Sequence, residues 1–316
     1  MRIISFWLAL SLSFLMSCTS KQNDPIEGQV IQPIVVKRFD TAFFAIDTNH
    51  ISQGIAGLYK NYPNFSSDFF NRLLQVDPVN DTQRIKRFYR VYSPIFKNTM
   101  KVNAPKQIET DLNKALARFH YYFPDYRMPK ELVYYVSPLL TYFNVLNDSC
   151  LGVGLQISTF DHYTKQQIPF HCVQNLVDDY LVTNTKPNNL LFQMIESGKR
   201  QYIIKTVSLN TVDTLLWDYS SVQLKAIQEQ ESAIWQYLNS ENMLMSKERI
   251  DALNILGDAN VNSLLGAPLP GNIGKYIGFR IVEAYMKKQP RTGFEDLQKL
   301  TKTAPSIIYA EANYRP

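Results

Sequence analysis

The stretch LPGNIGKYIGFRIVEAYM, Leu269 to Met286, places glycines inside what otherwise reads as an amphipathic helix. Gly274 and Gly278 are four residues apart, so they share one face of that helix beside a stripe of isoleucines. Each interior glycine costs a helix about 1 kcal/mol relative to alanine. A glycine pair on a core-like face therefore predicts that a second helix approaches closely, and we expect that helix to be the one bearing Trp235.

The glycines could also serve an anion site or a helix pair in a membrane. Gly271 follows Pro270 and suits a turn into a helix start, where free N–H groups attract anions. The stretch has neither a preceding strand nor the Lys and Ser/Thr spacing of a phosphate loop. Lys275, Arg280 and Glu283 make the helix too polar to span a bilayer, which disfavours glycine-mediated dimerisation in a membrane.

The amino terminus predicts a lipoprotein. Residues 1–17 read as a signal peptide, with one basic residue and a short apolar run, ending in Leu-Met-Ser before Cys18. This ending resembles the lipobox of bacterial lipoproteins, in which the cysteine thiol receives diacylglycerol. The alternative is an uncleaved membrane anchor. We expect lipid attachment at Cys18, a flexible tether over 18–33, and one globular domain over 34–316.

The same region predicts the location and the partners. Thr19 stands where an aspartate would retain a lipoprotein on the inner membrane, so we expect the outer membrane, with the periplasmic or surface face left open. The predicted partners are the membrane, through Cys18, and envelope proteins. Lys and Arg number 33 against 28 Asp and Glu, without a basic run, so the sequence predicts no nucleic-acid partner.

Two cysteines remain after Cys18. In an oxidising envelope, Cys150 and Cys172 predict a disulfide, and closing a loop of about 20 residues would contribute roughly 3 kcal/mol. The alternative is a pair of independent buried thiols.

The fold class follows from a change of sequence period. Helical patterns fill both halves of the chain, and the stretches KELVYYVSP, LTYFNVLND and CLGVGLQIS between them read as three strands. We expect an α+β fold: a mostly helical single domain around a small antiparallel sheet.

Motifs for catalysis are missing from the sequence. There is no HExxH pair and no G-x-S-x-G, and no two histidines are three or four residues apart. The acidic residues of the second half could supply a carboxylate pair, and Asp178 and Glu196 are the candidates for a pocket. We predict no metal, no cofactor and no enzymatic activity.

The order of motifs in the second half resembles a known family. FQMIESGKRQYII, WDYSSVQLKAIQEQESAIWQYL and LPGNIGKYIGFRIVEAYMKK are similar to segments of the gliding motility-associated lipoprotein GldB family of Bacteroidetes. The chain ends in Tyr-Arg-Pro, close to the family's ending. The residues that carry the resemblance are Gly198, Lys199, Tyr219, Gln223, Glu231, Trp235, Pro270, Gly271, Gly274, Gly278 and Tyr285.

This resemblance implies a non-catalytic lipoprotein that serves the gliding and secretion machinery or envelope upkeep through protein contacts. The family looks distantly related to zinc peptidases, which implies a zincin-like scaffold without its zinc motif, with Glu196 near a lost ligand position. Two alternatives stay open: a degenerate or unconventional envelope hydrolase, and a glycan-binding module that uses the abundant aromatic residues.

Overall fold

The computed structural model describes residues 24–101, 106–138, 144–147, 149–156, 167–182, 188–209, 211–258, 269–290 and 294–316. The predicted signal peptide and Cys18 lie outside these residues, so lipid attachment stays a prediction. The segment from Asp24 onward already contacts the folded domain. Asp24 pairs with Arg118, and Ile26 is buried. The described end of the predicted tether is therefore docked.

A four-stranded sheet lies in the first half of the chain. Its strands are β1 (Val35–Arg38), β2 (Glu131–Tyr135), β3 (Asn144–Leu146) and β4 (Cys150–Gly154), in the order β1-β2-β4-β3. The three predicted strands exist, but the antiparallel arrangement is wrong. β1, β2 and β4 run parallel, and only β3 pairs with β4 in the antiparallel sense.

Burial explains this topology. Every residue of β4 is buried, and four of the five residues of β2 are buried. Strands covered on both faces read as continuous apolar runs and take central positions in parallel sheets. β4 therefore inserts beside β2, and the short β3 is left at the edge.

Helices make up most of the remaining described structure, and the mostly helical α+β prediction is confirmed. They are α1 (Phe39–Phe44), α2 (Ile51–Asn61), α3 (Thr82–Lys101), α4 (Lys106–Tyr122), α5 (Ile168–Tyr180), α6 (Leu190–Val207), α7 (Asp213–Trp217), α8 (Ser221–Glu229), α9 (Glu231–Ser240), α10 (Arg249–Leu256), α11 (Ile273–Met286), α12 (Phe294–Lys302) and α13 (Pro305–Ala312). Among the described helices, none combines the length and the apolar character needed to cross a bilayer.

Aromatic side chains build the core on one face of the sheet. Phe39 of α1 packs on Phe65 and Phe69 at ring distances of 5.0 and 4.6 Å, and Phe65 contacts Tyr135 of β2 at 5.1 Å. Aromatic pairs at these distances add to the energy of simple area burial. The abundance of Phe and Tyr in this half of the chain therefore serves packing.

The sheet also separates the two cysteines, so the predicted disulfide is wrong. Cys150 and Cys172 are free, buried thiols. Cys150 Sγ lies 3.5 Å from the carbonyl oxygen of Asn64, on the face that carries Tyr135. Cys172 belongs to α5 and lies near Tyr134, whose side chain points to the opposite face because side chains alternate along a strand.

Candidate functional site

Two of the glycines that carry the family resemblance, Gly198 and Gly278, meet at a crossing between α6 and α11. A Cβ atom at Gly278 would lie 1.8 Å from the carbonyl oxygen of Met194, and one at Gly198 would lie 2.2 Å from the carbonyl carbon of Gly278. Real Cβ atoms do not approach other atoms so closely, so only glycine fits either position. The predicted close approach is confirmed, but the partner helix is α6 and not α9, the helix that bears Trp235.

The other two glycines of the stretch contact the chain around the end of α10. A Cβ atom at Gly274 would lie 2.6 Å from Ile255 Cγ2, and one at Gly271 would lie 2.3 Å from the carbonyl oxygen of Asp258. Tyr219 Oη donates a hydrogen bond to the Gly271 carbonyl at 2.5 Å. Gly271 therefore serves the close approach of the chain at Asp258, and the N–H group of the next residue, Asn272, already donates to the Gly257 carbonyl oxygen at 2.7 Å.

A carboxylate cluster lies beside this crossing, centred on Glu231 at the start of α9. Glu231 accepts hydrogen bonds from Tyr276 Oη at 3.1 Å, Arg280 Nε at 2.9 Å and Tyr314 Oη at 2.7 Å. Arg280 also pairs with Glu283. Burial, together with the negative charge of Glu231, raises the pKa values of Tyr276 and Tyr314, so both phenols remain protonated donors at neutral pH.

The cluster ties the carboxyl-terminal residues to the domain. Trp235 of α9 packs edge-on against Tyr314 at a ring distance of 5.1 Å. Ser232 Oγ donates to the carbonyl oxygen of Pro316 at 3.2 Å. Glu231, Ser232 and Trp235 of α9 therefore hold the segment from Tyr314 to Pro316 against the domain.

Lys199 has a second internal role on α6. Its side chain is only 3% exposed, and its Nζ donates to Glu196 Oε1 at 2.8 Å and to the carbonyl oxygen of Thr303 at 2.6 Å. The ammonium group thus binds a carbonyl just beyond the end of α12, where helix carbonyls lack partners. Glu196, a candidate for the pocket, serves as the counter-ion of this lysine.

The remaining motif residues are structural as well. Gln223 and Ser220 form a capping box that begins α8. Tyr285 and Pro270 are buried.

The carboxylates proposed for a pocket have separate partners. Asp178 pairs with Arg200 at 3.3 Å and is 62% exposed, whereas Glu196 pairs with Lys199 and Glu231 belongs to the tyrosine cluster. Within the described ranges, no group of three His, Cys, Asp or Glu side chains is placed to hold a metal ion. Among these residues, the structure does not bring the acidic candidates into one site.

Sequence reasoning missed the donors around Glu231. Tyr276 and Arg280 are four residues apart on α11, a spacing that places both on one helix face. From the sequence alone, Arg280 indicates only that the helix is too polar to span a membrane. The spacing could have indicated a shared anionic partner, but only the fold shows that the partner is Glu231.

Comparison with known proteins agrees with these motifs. A family model described as gliding motility protein GldB matches residues 19–158 and 159–316, which is the whole chain after Cys18. Comparison with curated proteins and with solved structures finds no match, so the zincin-like scaffold has no support from them. On the strength of the match along its length, the chain belongs to the family of the gliding motility protein GldB.

Proposed function

We propose that this protein is an outer-membrane lipoprotein, anchored through Cys18, that supports gliding, secretion or envelope upkeep through contacts with envelope proteins and without catalysis. Membership of the GldB family supports the motility-related role and an envelope location. The description of the family names a motility protein and no catalytic activity.

One observation carries the non-catalytic part of the proposal. The polar family-motif side chains Lys199, Tyr219 and Glu231 are all bonded inside the chain. An active site needs polar groups that are directed at a substrate position. Groups that are already bonded to the backbone or to one another stabilise the fold. A stable fold whose polar motif groups are used internally suits a protein that acts through its surface by binding.

A deletion strain tests the role. We expect loss of the gene to impair gliding, protein secretion or resistance to envelope stress, and we expect a plasmid copy of the wild-type gene to restore the lost property. A strain that is normal in all three assays would remove the proposal.

A Cys18→Ala copy tests the anchor. The thiol receives the lipid, so this variant should be released from the membrane fraction and should fail to restore the phenotype. The matched control is Cys172→Ala, which removes a thiol that is buried in the domain and leaves the anchor intact. Protease treatment of intact cells then distinguishes the surface face from the periplasmic face.

Metal analysis of the purified protein tests the hydrolase alternative. A catalytic zinc site needs about three protein ligands and one open position. We expect no bound zinc after dialysis. Zinc near one atom per chain, together with peptidase activity, would favour the hydrolase.

A further inference from the structure

Helix α3 carries six Lys or Arg residues and neither Asp nor Glu among its 20 residues. Each other described helix that has two or more Lys or Arg residues also has an acidic residue. Other residue types separate the basic residues of α3, so the sequence shows no basic run. The helical period nevertheless brings residues three, four and seven positions apart onto one face. The fold therefore collects on α3 a positive charge that the sequence disperses.

The apolar face of α3 packs into the aromatic core. The ring of Phe88 lies 5.6 Å from that of Phe43, and Phe96 stacks on Phe44 at 4.6 Å. Tyr89 Oη donates a hydrogen bond to the carbonyl oxygen of Phe44 at 2.7 Å. These contacts fix the rotation of the helix about its axis, so the opposite face is turned to solvent.

The solvent face of α3 carries a set of basic side chains, which we call the α3 basic row. The row consists of Lys86, which is half-buried, and of Arg87, Arg90 and Lys97, which are exposed. Arg84, near the start of the helix, pairs with Asp81 and is left out of the row. Within the part of the chain that the structure describes, the four side chains of the row have no acidic partner. The row therefore presents net positive charge to solvent.

The charges of the row repel one another. Arg90 is three residues after Arg87 and four after Lys86, spacings at which like charges destabilise a helix. Lys97 follows Arg90 by seven residues, about two turns further along the same face. An anionic surface placed against this face would offset the repulsion.

The composition of the solvent face favours a lipid surface over a protein surface. Protein interfaces depend on a few large aromatic or arginine side chains that fill pockets of the partner. The aromatic rings of Phe88, Tyr89 and Phe96 face the core, and Val91, at 57% exposed, is the large apolar residue that α3 exposes among its described side chains. A cluster of Lys and Arg on an amphipathic helix is typical of binding to anionic phospholipid headgroups. Because the apolar face is packed in the domain, α3 would lie on the headgroups without inserting.

The predicted lipid anchor holds the domain close to such a surface. Asp24, which docks on Arg118, is six residues after Cys18. Six residues span at most about 22 Å even when fully extended. If Cys18 carries the lipid, the domain stays beside the bilayer, and its surface charge favours one face over the others for contact with the headgroups.

We infer that the α3 basic row binds the headgroup surface of a bilayer that contains anionic phospholipids, and that this contact turns α3 towards the membrane. The positive charge and the exposure of the row rest on the described structure. The membrane as the anionic surface rests on the proposed anchor at Cys18. The anchor then sets the distance of the domain from the bilayer, and the row sets its orientation.

A fluorescent reporter on α3 tests the inference in the full-length lipoprotein. Val91→Cys places a thiol one residue after Arg90, and an environment-sensitive NBD dye can be attached there because Cys150 and Cys172 are buried. The labelled protein is reconstituted in vesicles of phosphatidylcholine alone, or of phosphatidylcholine and phosphatidylglycerol in equal parts. We expect the dye to gain fluorescence only in the vesicles with phosphatidylglycerol. High salt should abolish the gain, because salt screens exposed charges.

Charge variants in the same labelled protein test whether the row makes the contact. Arg87→Gln combined with Arg90→Gln should lower the equilibrium constant for contact about 25-fold, or about fivefold for each charge. The melting temperature should not fall, because neither guanidinium group has an acidic partner among the described residues. The matched control is Lys247→Gln combined with Arg249→Gln, which removes two exposed charges near the start of α10 and should leave the fluorescence gain unchanged.

The possible results separate the row from the anchor. Equal fluorescence in the two kinds of vesicle overturns the inference, and so does an equal gain with and without Arg87 and Arg90. An equal loss in both double variants overturns the assignment to α3. Flotation with phosphatidylcholine vesicles reports the anchor by itself. A chain that does not float with them refutes the anchor, and the dye at position 91 still reports whether α3 contacts vesicles that contain phosphatidylglycerol.

Discussion

Replacing Gly278 by alanine perturbs the crossing of α6 and α11 at its closest point. The added Cβ would lie 1.8 Å from the carbonyl oxygen and 2.4 Å from the carbonyl carbon of Met194. Both are backbone atoms, so no side-chain rotation relieves the overlap. The two helices would have to separate by more than about 1 Å, which disturbs the close packing of the core between them.

The expected cost follows from two opposing effects. Overpacking in a core costs about 1–3 kcal/mol, and the rigid backbone contact favours the upper end. The higher helix propensity of alanine stabilises α11 by about 1 kcal/mol relative to glycine, which offsets part of this cost. We therefore expect Gly278→Ala to lower the free energy of unfolding by about 2 kcal/mol and the melting temperature by about 4–8 °C.

Gly57 provides the matched control. It also lies inside a helix, α2, but a Cβ atom there would meet nothing within 4 Å. Gly57→Ala should therefore stabilise the protein by about 0.5–1 kcal/mol, the opposite sign. Thermal or urea unfolding, followed by circular dichroism, measures both variants. An unchanged or raised stability of Gly278→Ala would refute the close-packing argument.

A double-variant cycle sharpens the test. Gly198 and Gly278 meet at the same crossing, so once one added methyl group has separated the helices, the second should cost less. We expect the double variant to be clearly more stable than the sum of the two single effects predicts.

Three further predictions concern other parts of the described structure. Glu231→Ala should destabilise the fold by about 2 kcal/mol in urea unfolding, because three donors lose their acceptor, whereas exposed Glu229→Ala should change stability by under about 0.5 kcal/mol. Burial holds the pKa of the His171 imidazole below its ordinary value of 6.5, although the hydrogen bond with Gln174 and the negative charge of Asp218 oppose this shift. As the pH falls, His171 is therefore protonated in the unfolded chain before it is protonated in the folded chain. The contribution of His171 to the free energy of unfolding should therefore be complete above pH 6.5 and should be lost as the pH falls below it. The free energy of unfolding of His171→Gln should fall less steeply over this range, and equal slopes for the variant and the wild type would contradict this prediction. A thiol reagent should leave Cys150 and Cys172 unmodified in the native protein, because burial raises the pKa of both thiols, that of Cys150 to about 11. After unfolding without reductant, both thiols should react. Their failure to react would indicate a disulfide.

Local patterns predicted the elements of this fold better than their arrangement. The runs around β2, β3 and β4 were recognised as strands because they are short, rich in β-branched and aromatic residues, and bounded by turn residues. Their pairing was missed because neighbouring strands were assumed to pair in sequence. The continuous apolar character of CLGVG and LVYY was the available sign of buried parallel strands.

For the candidate site, too, the sequence predicted a local feature but not which parts of the chain meet. The glycine spacing on α11 predicted a close helix partner, since spacing along one helix is a local property. It did not identify α6, because Gly198 is 80 positions away from Gly278 and only the tertiary fold brings them together. The docking of Asp24 on Arg118 was likewise not predicted, because a polar segment after a predicted lipid anchor reads as a free tether.

The most direct test of the proposed non-catalytic role uses a chain that lacks the remaining candidate carboxylates. The double variant Asp178→Asn, Glu196→Gln removes both acids that could serve a hydrolase, and its melting temperature shows whether it folds. Expressed in the deletion strain, the folded variant should restore gliding, secretion or envelope resistance to the wild-type level. A folded, membrane-bound variant that restores none of them would contradict a role through protein contacts alone.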